Sequence, residues 1–519
     1  MKVALAASAK LENQYIKEWV DHHRKFGFDN IILYDNNDED TEKLIDVLSR
    51  EVNEKYVIID ETYYNNKFSQ IQAYNKLLED YVDLYDYICV WDIDEFLYLK
   101  DFISIKDFLS SNDAFQYVNN ICLFWETYGN NGFVEKPNIS LVNAYDNIYN
   151  LSKDYHYNIF LKCIINCKNV IKNNLLKFDD AHQLSDNVNC CDTDGNNIFS
   201  SNCYIIPNLN HAYLKHFITK SLDEYINKIK RGLNWGKYDR FDMSIFKNVN
   251  GWYNEYENYL NYKLDNIEQS YRVCFLVTNY DTNGIMKHTY VNVLKELFSE
   301  DNFRYEYIDK IEYDNPNNFI YYKNVFKLIK NNEELNNYDI YVFINDNIYV
   351  NPYLFYRFIK TMYDKDTCYT DMLQSRFFSN SQLNERFFIL HHNHIQHIMD
   401  NELFDNEDNN WWYGSYGLVC TLDTYDNINY KALGYIDPQV GMNNSDYNFK
   451  LNYNTISNII YYVNNIDNIF KLHGFIVANK DNFSLRLFNF NFRHIDYNNN
   501  NEKELCNKIE YSDKFIKKC

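Results

Sequence analysis

Asp92-Ile93-Asp94-Glu95 follows directly on the apolar run Tyr87–Trp91. Two carboxylates one residue apart, on a loop leaving a buried strand, can both turn towards one hard cation. Mg²⁺ or Mn²⁺ prefers oxygen ligands and is commonly held by one or two carboxylates together with substrate phosphates. An ion so placed neutralises a departing diphosphate as Lewis acid and template. Taken alone, the spacing fits a solvated acidic turn better, since Asp and Glu favour such positions anyway. A general base should be a carboxylate within hydrogen-bond reach of the proton it takes. Glu126, beside Trp125, and Asp180, just before His182, are the candidates, with Glu126 ahead.

The elements that must position these residues alternate. Val3–Ala7 reads as a first strand, and Leu11–Phe26 has helical spacing ended by Gly27. Ile31–Tyr34 is a short buried strand, Thr41–Glu51 is helical, and Tyr56–Ile59 is a third strand. Ser69–Tyr85 reads as an amphipathic helix before the strand that ends at Asp92. Strands alternating with helices imply a parallel sheet with crossover helices. Ligands of such sheets sit at the carboxyl ends of the strands, where Asp35 and Asp92 both fall. A helix over Ser221–Arg231 follows, then a Tyr/Asn-rich stretch. The pattern restarts at Arg272–Val277 and passes through helices at 288–298 and 323–330. It reaches strand Ile340–Ile344 and Asn345-Asp346-Asn347. The expectation is two tandem α/β domains, 1–255 and 270–519.

Composition bounds the function. The 519 residues carry 51 Lys+Arg against 73 Asp+Glu, a formal charge of −22. That excess argues against life on nucleic acid or anionic lipid. A hydrophobic fraction of 46% excludes general disorder. The 50 Tyr beside only 13 Gly and 5 Pro fit A+T-rich codon usage. The 12 Cys show no paired zinc spacing, so free thiols are expected. MKVALAASAK imitates a signal peptide only weakly, and no run approaches a membrane span. A cytosolic protein is the expectation. His391, His392, His394 and His397 invite a zinc reading, but packing is favoured because no spaced Cys or carboxylate joins them.

An ordered set of residues then narrows the reading. Lys10-Leu-Glu12, Tyr15-Ile-Lys-Glu18-Trp19, Tyr34-Asp35-Asn36-Asn37, Trp91-Asp92-Ile93-Asp94-Glu95-Phe96, Phe124-Trp125, Gly129-Asn-Asn-Gly132, His216-Phe217-x-Thr219-Lys220-Ser221 and Arg231-Gly232 occur in this order. Over residues 3–250 the set resembles the family 92 glycosyltransferases and their bacterial relatives, a GT-A branch close to family 2. The resemblance implies an α/β, Rossmann-like GT-A fold that moves a sugar from a nucleotide-diphosphate donor to a glycan or glycoconjugate acceptor. It implies Mn²⁺ or Mg²⁺ as cofactor, with a UDP-sugar the expected donor and inversion the expected outcome. It implies that Asp35 holds the nucleoside, and that Asp92 and Asp94 bind metal and diphosphate. His216 would complete that shell, Lys220 and Arg231 would meet phosphate charge, and Lys10 and Glu12 would contact the nucleotide. Leu11 and Phe217 depart from the family pattern without removing a charge.

Residues 271–519 lack these motifs but are similar in order to family 2 enzymes. Trp411-Trp412-Tyr413-Gly414 precedes Gly434-Tyr-Ile-Asp437, and then Ser445-Asp446. By that likeness Asp346 would hold a metal, Asp446 would be the base, and His473 a late metal ligand. The second domain is expected either as a further active transferase, the preferred alternative, or as a degenerate sugar-binding or scaffolding partner.

Overall fold

The computed structural model describes residues 1–64, 70–146, 160–174, 177–180, 183–184, 189–198, 207–231, 243–278, 286, 289–308, 319–345, 348–370, 374–375, 381–382, 387–400, 429–432, 435–436, 459–462 and 466–486. Two compact units divide the chain. The first comprises Met1–Asn131 and Ser140–Gly251; the second comprises Gly132–Ile139 and Trp252–Cys519. Helix Asn254–Asp265, in the stretch expected to join two domains, belongs to the second unit.

The strands of the first unit are β1 (Val3–Ala9), β2 (Asn30–Asp35), β3 (Val57–Asp60), β4 (Tyr87–Val90), β5 (Glu95–Leu99), β6 (Asn120–Thr127), β7 (Leu161–Asn166), β8 (Phe178–Asp180), β9 (Gln183–Leu184), β10 (Cys190–Cys191), β11 (Asn197–Ile198) and β12 (Ala212–His216). Among the described residues the main sheet runs β11-β10-β6-β7-β4-β1-β2-β3, with β12 paired to both β5 and β6. β3, β2, β1 and β4 are parallel, as the alternating pattern predicts. β7 then runs antiparallel to both β4 and β6.

The sheet's residues are apolar on both faces because helices cover it. Helix Asn13–Arg24 buries Tyr15, Ile16, Trp19, Val20 and His23. Helix Gln70–Tyr81 buries Ala73, Tyr74, Leu77 and Leu78 against Ala4, Ala6, Ile32, Ile88 and Val90. Gly27, at φ +81°, makes the left-handed turn after the first helix that an L side chain resists. The helix expected over 41–51 is two short ones, Leu44–Val47 and Ser49–Asn53, parted at buried Leu48.

The second unit holds β13 (Val273–Thr278), β14 (Phe303–Ile308), β15 (Ile340–Asn345), β16 (Ile348–Val350), β17 (Thr367–Thr370), β18 (Gln374–Ser375), β19 (Ser381–Gln382), β20 (Phe387–His391), β21 (Asn429–Ala432), β22 (Tyr435–Ile436) and β23 (Ile460–Tyr462). Its main sheet runs β14-β13-β15-β20-β17-β21 among the described residues. Its core stacks Phe343 on Phe388, with Tyr322, Phe326 and Val325 of helix Phe319–Asn331 against them. Among the described residues, no helix is long and apolar enough to cross a membrane.

Candidate active site

The acidic turn begins where β4 ends. Trp91 N still donates to Ala6 O at 3.1 Å, and Glu95 N closes the turn on Asp92 O at 3.1 Å. The Glu95 carboxylate accepts from Asp92 N at 3.0 Å. Helix Asn13–Arg24 clamps the turn from behind: Trp19 Nε1 donates to Asp92 O at 3.1 Å and to Glu95 O at 2.8 Å. His23 Nε2 accepts from Leu97 N at 3.2 Å, while its Nδ1 meets Trp19 O at 2.8 Å. Burial keeps His23 neutral, which that accepting role requires. Trp19, a fully buried core residue, is therefore also a hydrogen-bonding brace of the turn.

β12 brings the distant histidine in. Its antiparallel register with β5 sets His216 opposite Glu95, and Phe217 N donates to Asp94 O at 2.9 Å. His216 Nε2 then lies 3.7 Å from Asp94 Oδ1. Burial, opposed by Asp94, lowers the imidazole to about 4, so it is neutral at physiological pH. Its Nδ1 is buried without a hydrogen-bond partner among the described residues. The Trp125 ring packs on it with centroids 4.1 Å apart.

Asp94 is buried, and its Oδ2 accepts from Lys228 Nζ at 2.9 Å. Burial alone would raise this carboxyl, but Lys228, His216 and Lys220 hold it far below the ordinary range. Asp92 is handled separately. Its Oδ2 lies 2.7 Å from Lys162 Nζ, and its Oδ1 accepts from Gln70 and, at 3.4 Å, from Tyr74. Lys162 is inaccessible to solvent in the middle of the sheet. Burial would lower its ammonium, but Asp92 and Glu95 outweigh that and raise it. Glu95, fully buried, has its carboxyl pushed well up by that burial. Sequence reasoning missed Lys162. Its signal was one charge inside the apolar run Phe160-Leu-Lys-Cys-Ile-Ile.

A third carboxylate organises the loop after β1. Glu12 accepts from Lys220 Nζ and from Arg231 Nη2, both at 2.8 Å. Arg231 also donates to Lys10 O at 2.5 Å. Burial would raise Glu12, but Lys220 and Arg231 lower it. Leu11 and Lys220 both sit at positive φ, +56° and +51°. The buried ion pairs therefore lock two left-handed backbone positions that L residues adopt at a cost. Four cations (Lys162, Lys220, Lys228, Arg231) thus face three ionised carboxylates (Glu12, Asp92, Asp94).

The expected residues sort accordingly. Asp92, Asp94, His216, Lys220, Arg231 and Glu12 come together. Lys10 sends its side chain to Asp38, 3.1 Å away. Asp35 is fully buried, and its two oxygens accept from Asn37 N at 3.0 Å and Leu44 N at 2.8 Å. It shapes the loop after β2 rather than presenting a free carboxylate for a nucleoside. Glu126, expected on Trp125's side, is on the opposite face. β6 pairs Trp125 with Leu214, Glu126 with Lys215 and Thr127 with His216, and successive strand residues point to opposite faces. Glu126 instead accepts from Tyr128 Oη at 2.5 Å. The side chain of Asp180 lies outside the described residues, as do Asp346, Asp446, Trp411, Trp412, Gly434 and Asp437. His473, in the second unit, meets Tyr349 Oη through Nδ1 at 2.7 Å. His394 is buried, with Nδ1 3.6 Å from Cys368 Sγ.

Among the described residues no three His, Cys, Asp or Glu side chains gather to hold a metal ion. Two do fit as a pair. Asp94 Oδ1 and neutral His216 Nε2, 3.7 Å apart, can be spanned by a cation with bonds of about 2.0–2.3 Å, the remaining positions going to phosphate oxygens.

Residues 7–178 match the model of glycosyltransferase family 92. That match covers strands β2, β3 and β4, the acidic turn and Lys162, and it identifies a glycosyltransferase domain; the chain is a glycosyltransferase of mixed α/β fold. No curated protein matches the chain. Among solved structures it is similar to a glycosyltransferase involved in glycosylation of the major capsid of PBCV-1, at 11% identity and TM-score 0.26, over 39% of this chain and 98% of that one. It is also similar to S. aureus TarS, at 14% identity and TM-score 0.24, over 51% of this chain and 44% of that one. TarS residues 1–349 give 13% identity and TM-score 0.25, over 58% and 80%. At such scores these likenesses carry no weight beside the family match.

Proposed function

We propose that the first unit transfers a sugar, with inversion, from a nucleoside-diphosphate donor, a UDP-sugar first among them, to a glycan or glycoconjugate acceptor. The observation that carries this reading is the Asp94–His216 pair. It joins an ionised carboxylate and a neutral imidazole, 3.7 Å apart and flanked by Lys228, at the carboxyl end of a parallel strand. Mn²⁺ or Mg²⁺ bound there would neutralise the departing diphosphate. Asp94 and His216 would be its protein ligands. Asp92, already paired with Lys162, would shape the turn and orient the donor.

The protein's own cations have a separate task. Lys228 fixes Asp94 Oδ2 and leaves Oδ1 turned towards His216. Lys220 and Arg231, through Glu12, hold the loop after β1 in its left-handed form, next to where a nucleotide sits in sheets of this kind. Trp125, buried between His216 and Phe160, holds the His216 ring in place. For the acceptor's proton, Asp180 replaces Glu126 as the candidate base in this unit, since Glu126 faces away.

The test is turnover of a panel of UDP-sugars with and without Mn²⁺. Wild-type protein is expected to release UDP only with the ion, and Asp94→Asn to release none while keeping its circular-dichroism spectrum. Undiminished turnover by Asp94→Asn would sink the assignment.

A further inference from the structure

The main sheet of the second unit repeats the strand order and directions of the central part of the first. β14, β13 and β15 are parallel neighbours as β2, β1 and β4 are. β20 runs antiparallel to β15 and β17, as β7 runs antiparallel to β4 and β6. β21 lies parallel beside β17, as β10 does beside β6, and β23 pairs antiparallel with β16, as β12 does with β5. Helices Gln70–Tyr81 and Phe319–Asn331 precede the corresponding strands β4 and β15.

Hydrogen bonds fix the register of the repeat. Lys2 N donates to Asp86 Oδ2 at 2.6 Å, and Arg272 N to Asp339 Oδ2 at 2.8 Å. Lys2 O receives Asp86 N and Tyr87 N; Arg272 O receives Asp339 N and Ile340 N. Asp86 O receives Cys167 N, and Asp339 O receives His392 N. Tyr87 stands opposite Asn166, as Ile340 stands opposite His391.

Counting from these anchors pairs the site residues one by one. Asp92 corresponds to Asn345, Lys162 to Phe387, and Glu95 to Ile348. His216, opposite Glu95, corresponds to Tyr462, opposite Ile348. Asp346 therefore falls at the position of Ile93, not of Asp92. In sequence, Asp94 is matched by Asn347. The losses are coordinated. A lone lysine opposite Asn345, or a lone aspartate beside Phe387, would leave a buried charge unpaired at a cost of several kcal/mol; both partners have gone, and Phe387 and Ile348 are fully buried apolar residues.

We infer that the second unit is an internal repeat whose ionic site has been exchanged for uncharged packing. Among the described residues the chain then carries one nucleoside-diphosphate site, that of the first unit, and the second unit is not expected to bind such a ligand or transfer from it. This rests on the reading of the first unit given above.

Calorimetric titration of the full chain with UDP, GDP, CDP and dTDP in Mn²⁺ tests it. One site per chain, abolished by Asp94→Asn, is the expected result. Two sites, or one that survives Asp94→Asn, overturns the inference and leaves the transferase reading of the first unit to be judged on turnover. Binding of none of them overturns that reading, and the inference with it. A ligand-free measurement checks the register. Asn345→Asp and Phe387→Lys should each lower the melting temperature, and the double variant should lose less than their sum because it recreates the pair. Strictly additive losses would overturn the equivalence.

Discussion

Lys162 Nζ lies 2.7 Å from Asp92 Oδ2, an ion pair whose cation is inaccessible to solvent and whose carboxylate stands at the mouth of the site. Lys162 belongs to β7, inserted antiparallel beside β4, so the pair ties the acidic turn to the strand that follows it in the sheet. Replacing it with Met should remove the cation from Asp92 and Glu95 together. A loss of about 3 kcal/mol in denaturant unfolding is expected. Asp92→Asn in the same chain should return part of it, and full additivity would deny the pairing.

Trp19→Phe keeps most of the packing volume and removes the two Nε1 hydrogen bonds to Asp92 O and Glu95 O. A stability loss of about 1–2 kcal/mol is expected for the two lost hydrogen bonds. Turnover should fall by more than that loss explains, because the turn carrying Asp94 loosens. Retained kcat would show that packing alone holds the turn.

His216 makes stability depend on pH in a defined window. Its folded value, about 4, lies below the 6.5 of an exposed imidazole, so the folded state resists a proton that the unfolded chain accepts. No penalty exists above about pH 6.5; stability drains as pH falls from there to 4, by about 3 kcal/mol in all. Asp94 is depressed instead, so its contribution is lost only below about pH 4, where the unfolded carboxyl begins to protonate. Unfolding curves of wild type and His216→Gln at pH 8 and pH 5 should converge as pH drops. Parallel curves would contradict a neutral buried His216.

Glu126→Gln should leave turnover within a few-fold of wild type, since Glu126 and Lys215 face away from His216 and Trp125. A loss of a thousand-fold or more in kcat would restore Glu126 as the base. The same assay on Asp180→Asn gives the complementary outcome, with the large loss expected there.

The net charge of −22 invites the view that a diphosphate can enter only behind a divalent cation. The site is less simple. Around it four cations face three ionised carboxylates, so the protein's acidity lies elsewhere on the molecule. Overall charge sums all residues equally, whereas a site feels charges within a few ångströms in a low dielectric.

Local signals were legible in the order of residues. The strands β1 to β4 and the helices between them follow from apolar periodicity and from Gly27. Asp92, Asp94 and His216 stood out through the family's motif order. What the sequence could not show was which residues meet across long separations. Lys162 and Asp92 are 70 positions apart, Lys228 and Asp94 134, and Lys220 and Glu12 208. Strand β7 and strand β12 bring these partners in, and a lone lysine in a strand or a basic residue near a helix end carries no label naming its carboxylate. The facing of Glu126 was hidden for a related reason: adjacency to Trp125 in sequence means opposite faces in a strand. The recurrence of strand, helix and acidic turn in the sequence is the signal behind the repeat inferred above. The inferred match of Asn345 and Phe387 to Asp92 and Lys162 rests on pairing register, which is set by hydrogen bonds between strands that the chain order does not contain.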